Sequence, residues 1–196
     1  MHEQNSAQPL PDYQFVFSVA VEFIVLAISV AIGYWRNIAW FNHLGDWKSW
    51  LVGGGAGLLF AFLSTLILRS LINVAYAPAC EYYRQVSTMM RKFSFWQCLI
   101  LAALSGFCEE LFFRGVLVPL LGVIISSLIF TAMHYNGSKL WLWTILILLV
   151  GLSLGYCYQA FQDLGLVISF HAINNLFSFN VLRYYRFTDP DQTANS

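Results

Sequence analysis

Six apolar runs divide this chain, and their lengths decide the solvent in which it folds. They cover Tyr13–Trp35, Trp50–Leu68, Phe95–Val118, Gly122–Tyr135, Leu140–Phe161 and Leu164–Tyr184. A helix needs about 20 predominantly apolar residues to cross a bilayer, and only the fourth run is clearly short of that. Composition agrees: 59% of residues are hydrophobic and 10% charged, where a soluble domain carries roughly 25% charged residues. Lys and Arg number 10 and so do Asp and Glu, so no basic surface points to nucleic acid. Cys80, Cys98, Cys108 and Cys157 are scattered in apolar stretches without CxxC spacing, which gives neither a disulfide framework nor a zinc knuckle. The expected fold class is all-α: a polytopic transmembrane helical bundle in the lipid bilayer, of about six spans.

One membrane domain, residues 13–185, is expected between two polar tails. The segment 1–12 (MHEQNSAQPLPD) lacks Lys and Arg, and the apolar run behind it is too long for a signal-peptide core, so it reads as a retained helix. Residues 186–196 read as a disordered tail. Trp35, Trp40, Trp47 and Trp50 fit side chains at headgroup level. The connection Asn73–Ser94 holds an amphipathic stretch with Tyr83, Val86 and Met90 on one face, which reads as a helix lying on the membrane surface. Gly53 and Gly57 form a GxxxG pattern that suits close helix packing, within the chain or at a dimer face. If the spans alternate, one side carries Arg69, Arg84, Arg91, Lys92, Lys139, Arg183 and Arg186, and the other only Arg36, Lys48 and Arg114. The excess of positive charge places the first set, and both termini, in the cytoplasm.

Against this background a few polar residues are costly. An ionisable side chain within a span costs about 2.5–3.5 kcal/mol on insertion scales, so Glu22, Glu109, Glu110, Arg114, His134 and His171 need reasons, as do their neighbours Asn174 and Asn175. Glu110 and Arg114 are one helical turn apart and can pair. Glu109 points about 100° away and is less directly neutralised. Phe130 lies one turn before His134 and can buttress its ring, and Asn175 shares a face with His171. Pro119–Gly122 (PLLG) reads as a turn, and Glu109 and His134 each lie roughly 18 Å from it along their helices. His171 is roughly 11 Å beyond the turn at Gln162–Gly165. Three costly groups from three helices thus converge on one layer.

A carboxylate, two imidazoles and a carboxamide suit the activation of water. A carboxylate shielded from solvent is a competent general base near neutral pH, and a His/Asn pair on one face can donate hydrogen bonds to an oxyanion. No serine or cysteine is partnered as a nucleophile, and Cys108 reads as filler. Zinc held by the two histidines and a glutamate is the rival chemistry, although the HExxH pattern is absent. Buried acids and histidines also form proton relays in transporters and channels. Against that function stand the short chain and the lack of paired broken helices. A catalytically silent binding or immunity protein is the other alternative. Glu22, a lone acid in the first span, either pairs with an inward residue or lines the substrate entry, and His43 reads as a surface residue, like His2.

EELFFR (Glu109–Arg114), FTAMH (Phe130–His134) and HAINN (His171–Asn175) follow one another in this order. Together they resemble the EExxxR, FxxxH and HxxxN motifs of the CPBP family of glutamic intramembrane proteases. That family includes the type II CAAX prenyl endopeptidases and bacterial bacteriocin-processing or immunity proteins. The similarity runs from about Trp96 to Phe179, with the motif-bearing core at 95–180. The resemblance implies Glu109 as general base, His134 as a second ligand of the water, and His171 with Asn175 as oxyanion hole. Glu110, Arg114 and Phe130 would organise the site. No cofactor and no metal are implied. The substrate would be a membrane-anchored protein or peptide cut in a bacterial plasma membrane, such as a sorting tail or a leader-bearing peptide. A prenylated tail is less suited to so short a chain.

Overall fold

The computed structural model describes residues 13–135, 137 and 140–186. The two expected tails, apart from Arg186, therefore lie outside the described residues, as do His2 and Lys139. The described chain is an all-α bundle. Its helices are α1 (Tyr13–Arg36), α2 (Trp47–Asn73), α3 (Ala77–Met90), α4 (Phe95–Phe112), α5 (Val118–Met133), α6 (Trp141–Phe161) and α7 (Leu164–Tyr184). A 3₁₀ turn, Trp40–His43, leads into α2, and a π-helical turn, Phe113–Leu117, joins α4 to α5. Local chemistry fixes several ends. Asp46 accepts from the backbone N–H groups of Lys48 and Ser49 at the start of α2, and Asp163 caps α7. Ser94 and Gln97 form a reciprocal capping box on α4.

Among the described residues five helical stretches are long and apolar enough to cross a membrane, and the longest of them is Phe95–Met133. That stretch does not run straight. Ser126 Oγ donates to the carbonyl of Phe113 at 3.0 Å, whereas the two would stand roughly 20 Å apart along a single helix. The reversal is at Gly122, whose φ of 81° falls where a side chain is strained. The expected turn is therefore present, and the fourth run needs correction. From Val123 to Met133 the returning limb has about 11 residues and a length of roughly 17 Å, against a hydrocarbon core of about 30 Å. It is a half-span that stops at His134.

The bundle has two ends. At one lie the Trp40 turn, the Pro119–Gly122 reversal and the α6–α7 turn, held together by Leu44, Trp40, Val118, Tyr158 and Leu164. His43 Nδ1 meets the carbonyl of Gln162 there at 3.0 Å, so it ties two turns together and is not merely a surface residue. At the other end are the start of α1, all of α3 and the end of α7. The α3 face carrying Tyr83, Val86 and Met90 packs against Ile72, Cys98 and Leu182. It is amphipathic, as expected, but its apolar face meets protein. Trp40 also departs from expectation: its indole lies over Gly33 and donates to the carbonyl of Gly115 at 3.2 Å. Pro119 has no N–H to offer that carbonyl, and Trp40 takes the place.

The GxxxG glycines serve packing within the chain. A Cβ built on Gly57 would stand 2.3 Å from the carbonyl oxygen of Phe170, and one on Gly53 would stand 2.1 Å from that of Leu166. Both obstacles are α7 backbone, which cannot swing aside. Gly55, between them, has nothing within 4 Å. Gly57→Ala is therefore expected to cost about 1–3 kcal/mol through overpacking, while Gly55→Ala gains up to about 1 kcal/mol of helix propensity. Thermal unfolding of the two variants in detergent reads the difference, and equal stabilities would sink this account of α2 against α7.

Candidate active site

The chain becomes irregular just after the two acids. Helix α4 passes into the π-helical turn directly after Phe112, and such a turn shifts the register of the residues beyond it. Phe113 is buried, and its carbonyl serves both the N–H of Val118 and the Ser126 hydroxyl. Arg114, in this turn, is 1% exposed and Glu110 is 0% exposed. Arg114 Nη1 donates to Glu110 Oε1 at 2.7 Å, as the one-turn spacing predicts. Its Nη2 reaches across to the carbonyl of Gly151 on α6 at 3.0 Å, and its guanidinium lies 5.0 Å from the centre of the Phe130 ring. One side chain thereby touches α4, α5 and α6.

The two imidazoles are each anchored through Nδ1. His134 Nδ1 lies 2.8 Å from the carbonyl of Phe130. A carbonyl only accepts, so Nδ1 carries the proton. The Phe130 ring sits 4.4 Å from the His134 ring, the buttress expected from the FxxxH spacing. His171 Nδ1 lies 2.7 Å from Glu110 Oε1, the same oxygen that receives Arg114. Glu110 therefore holds a cation and an imidazole at once, while its Oε2 is buried with no hydrogen-bond partner.

With both Nδ1 atoms committed, both Nε2 atoms face Glu109. His134 Nε2 is 3.6 Å from Glu109 Oε2 and His171 Nε2 is 4.0 Å from it. These separations are too long for direct hydrogen bonds, and that Oε2 is buried without a partner. Asn175, one turn after His171, donates from Nδ2 to Ser105 Oγ at 3.0 Å. An amide nitrogen has two N–H groups, so one is left over. The structure thus gathers Glu109, Glu110, Arg114, Phe130, His134, His171 and Asn175 into one cluster inside the bundle. Asn174 donates to its neighbour Asn175 at 3.4 Å and makes no bond across helices. Among the described residues no group of three His, Cys, Asp or Glu side chains is arranged to hold a metal ion.

Two members escape the sequence reading, and so does the partner of a third. Ser105 lies one turn before Glu109, so helical spacing offered a signal for it. The Gly151 carbonyl offered none, because any backbone position on α6 presents one. Glu22 was visible as a charge in a span, but its partner was not: its carboxyl is within hydrogen-bonding reach of Glu109.

Comparison with known proteins covers the segment that carries the three motifs. Residues 91–177 match the family described as type II CAAX prenyl endopeptidase Rce1-like. The matched segment contains all three motifs, which bears out the resemblance drawn from them. A stretch of 75 residues is 35% identical to Uncharacterized protein YpbD of Bacillus subtilis (strain 168), covering 38% of this chain and 40% of that protein. The chain thus matches well under half the length of that relative. No solved structure matches the chain.

Proposed function

We propose that this chain, a multi-pass membrane protein with an Rce1-like core, is an intramembrane endopeptidase that activates water with Glu109. One observation carries the reading: Glu109 Oε2 faces the Nε2 atoms of His134 and His171 across 3.6 and 4.0 Å. Gaps of that size between buried polar groups suit a bridging water. His134, protonated at Nδ1, presents the Nε2 lone pair, so a water there gives one proton to Glu109 and the other to His134. Its own lone pair is then free to attack.

The hydrolytic cycle follows from these positions. Water oxygen bonds to the scissile carbonyl carbon while its proton passes to Glu109. The oxyanion formed is met by the spare N–H of Asn175 and by His171 Nε2, each such donor contributing a few kcal/mol. To donate from Nε2 while Nδ1 donates to Glu110, His171 must be the imidazolium, and the carboxylates of Glu109 and Glu110 supply its counter-charge. Glu109 then returns the proton to the nitrogen as the C–N bond breaks. Glu110, Arg114, Phe130 and Ser105 hold these groups in place.

The substrate in this reading is a membrane-anchored protein or peptide. Co-expression with candidate anchored precursors, with and without the protein, tests it, and an uncleaved precursor accumulating in its absence identifies the substrate. Cleavage that persists in a strong chelator supports the metal-free mechanism, whereas loss restored by added zinc favours a zinc site on the same histidines and glutamate. Proton-coupled uptake into vesicles with no cleavage would instead show a transporter.

The orientation is also part of the proposal. Arg69, Arg84, Arg91, Lys92, Arg183 and Arg186 lie toward the α3 end, and Arg36 and Lys48 toward the other, so the α3 end faces the cytoplasm. The Pro119–Gly122 and α6–α7 turns then face outward, an orientation that suits the trimming of exported, anchored proteins. A cysteine placed at Leu121 in a Cys157→Ser background is expected to react with a membrane-impermeant maleimide in intact cells. Reaction only after permeabilisation would reverse the orientation.

A further inference from the structure

Helix α1 buries a single stripe, Val25, Ser29 and Gly33, at the one-turn spacing of a helix face. Glu22 precedes Val25 by three residues and continues that stripe. Along it α1 packs against α4, the Glu22 carboxyl is within hydrogen-bonding reach of Glu109, and Glu109 Oε2 is buried without a partner. Glu22 Oε2 is buried with no hydrogen-bond partner. The charged and titratable groups around the pair are Cys108 and Glu110 from α4, Arg114 from the π-helical turn, His134 from the end of α5 and His171 from α7. Arg114 is already committed to Glu110 and Gly151, and both imidazoles are anchored at Nδ1. No cation is therefore dedicated to Glu22.

Two carboxyl groups can hydrogen-bond only when one of them carries a proton, because a carboxylate has acceptors alone. We propose that Glu22 is a positioning residue for Glu109: it holds that proton, donates it in a hydrogen bond to Glu109, and so fixes the carboxylate facing His134 and His171. The inference rests on Glu109 as general base. During attack the Glu22 O–H stays intact. The proton abstracted from water goes to Glu109 and from there to the leaving nitrogen, so Glu22 ends the cycle as it began. The first span, outside the three motifs, thereby joins the site, and the aim of the base depends on α1 staying docked.

Infrared spectroscopy of the purified protein at pH 7, in H₂O and D₂O, tests the pair without any substrate. The wild type is expected to show the exchangeable C=O stretch of a protonated carboxyl. Glu22→Gln should remove it, Glu109→Gln should shift it by changing the acceptor of its hydrogen bond, and Glu110→Gln should leave it. Absence of the band in the wild type, or its survival in Glu22→Gln, would overturn the proposal. On a precursor that the wild type cleaves, Glu22→Gln keeps an N–H donor and is expected to retain kcat within roughly fivefold. Glu22→Leu should lose roughly tenfold to hundredfold in kcat at unchanged KM, the scale of a misplaced catalytic group. Wild-type kcat in Glu22→Leu, or equal losses in Leu and Gln, would also overturn it. A band behaving as expected beside a fully active Glu109→Gln would leave the carboxyl pair standing and defeat the assignment of Glu109 as base.

Discussion

Glu109→Gln is expected to abolish cleavage while leaving the bundle folded. Glutamine matches glutamate in shape and keeps an oxygen directed at the two imidazoles, but it cannot take a proton from water. Loss of a positioned general base lowers rates by roughly 10²–10⁴-fold, which in a membrane assay is loss of product. His134→Ala should be the milder lesion, because it removes one hydrogen bond to the water and leaves the base in place. Initial rates of precursor cleavage in isolated membranes give the ranking, with gel filtration in detergent as the check on folding. Wild-type cleavage by Glu109→Gln would end the proposed mechanism. Metal analysis separates the zinc alternative, since His134→Ala would then release bound metal together with activity.

This ranking was open to the sequence because helical spacing carries it. Glu110 and Arg114 are one turn apart and pair; Phe130 and His134 are one turn apart and their rings meet. The Pro119–Gly122 turn was enough to bring Glu109 and His134 to one depth, and the structure places them 3.6 Å apart. What spacing could not supply was the rotation of one helix against another. Whether Glu22 faces lipid, α2 or α4 is set by how Val25, Ser29 and Gly33 seat α1, and no local pattern states it. The α3 face was visible as apolar, but not whether lipid or protein would cover it. The returning limb looked like a span because its composition is predominantly apolar, and hydropathy does not register that Gly122 and His134 bound a helix half the length of a crossing. The π-helical turn has no residue signature, although it carries Arg114.

The second large effect is expected at Arg114. Arg114→Ala strips the buried Glu110 of its cation and leaves a carboxylate with only His171 beside it. Breaking a buried ion pair from one side costs about 3–5 kcal/mol. Two further contacts go with it: the Gly151 carbonyl loses a donor and the Phe130 face loses its cation, so α4, α5 and α6 lose the side chain that joins them. The variant should unfold well below the wild type in a detergent melt and accumulate poorly in membranes. Removing both partners is a different experiment. In Glu110→Leu/Arg114→Met the pair is replaced by apolar side chains of comparable size, and such exchanges are often neutral or stabilising, so most of the lost stability should return. Activity should not return with it. His171 Nδ1 would have lost its acceptor, the imidazole could turn, and Nε2 would no longer face Glu109. A double variant that is stable and inactive shows that the pair serves catalysis by aiming His171. If Arg114→Ala melts with the wild type, or the double variant still cleaves, the pair does not have that role.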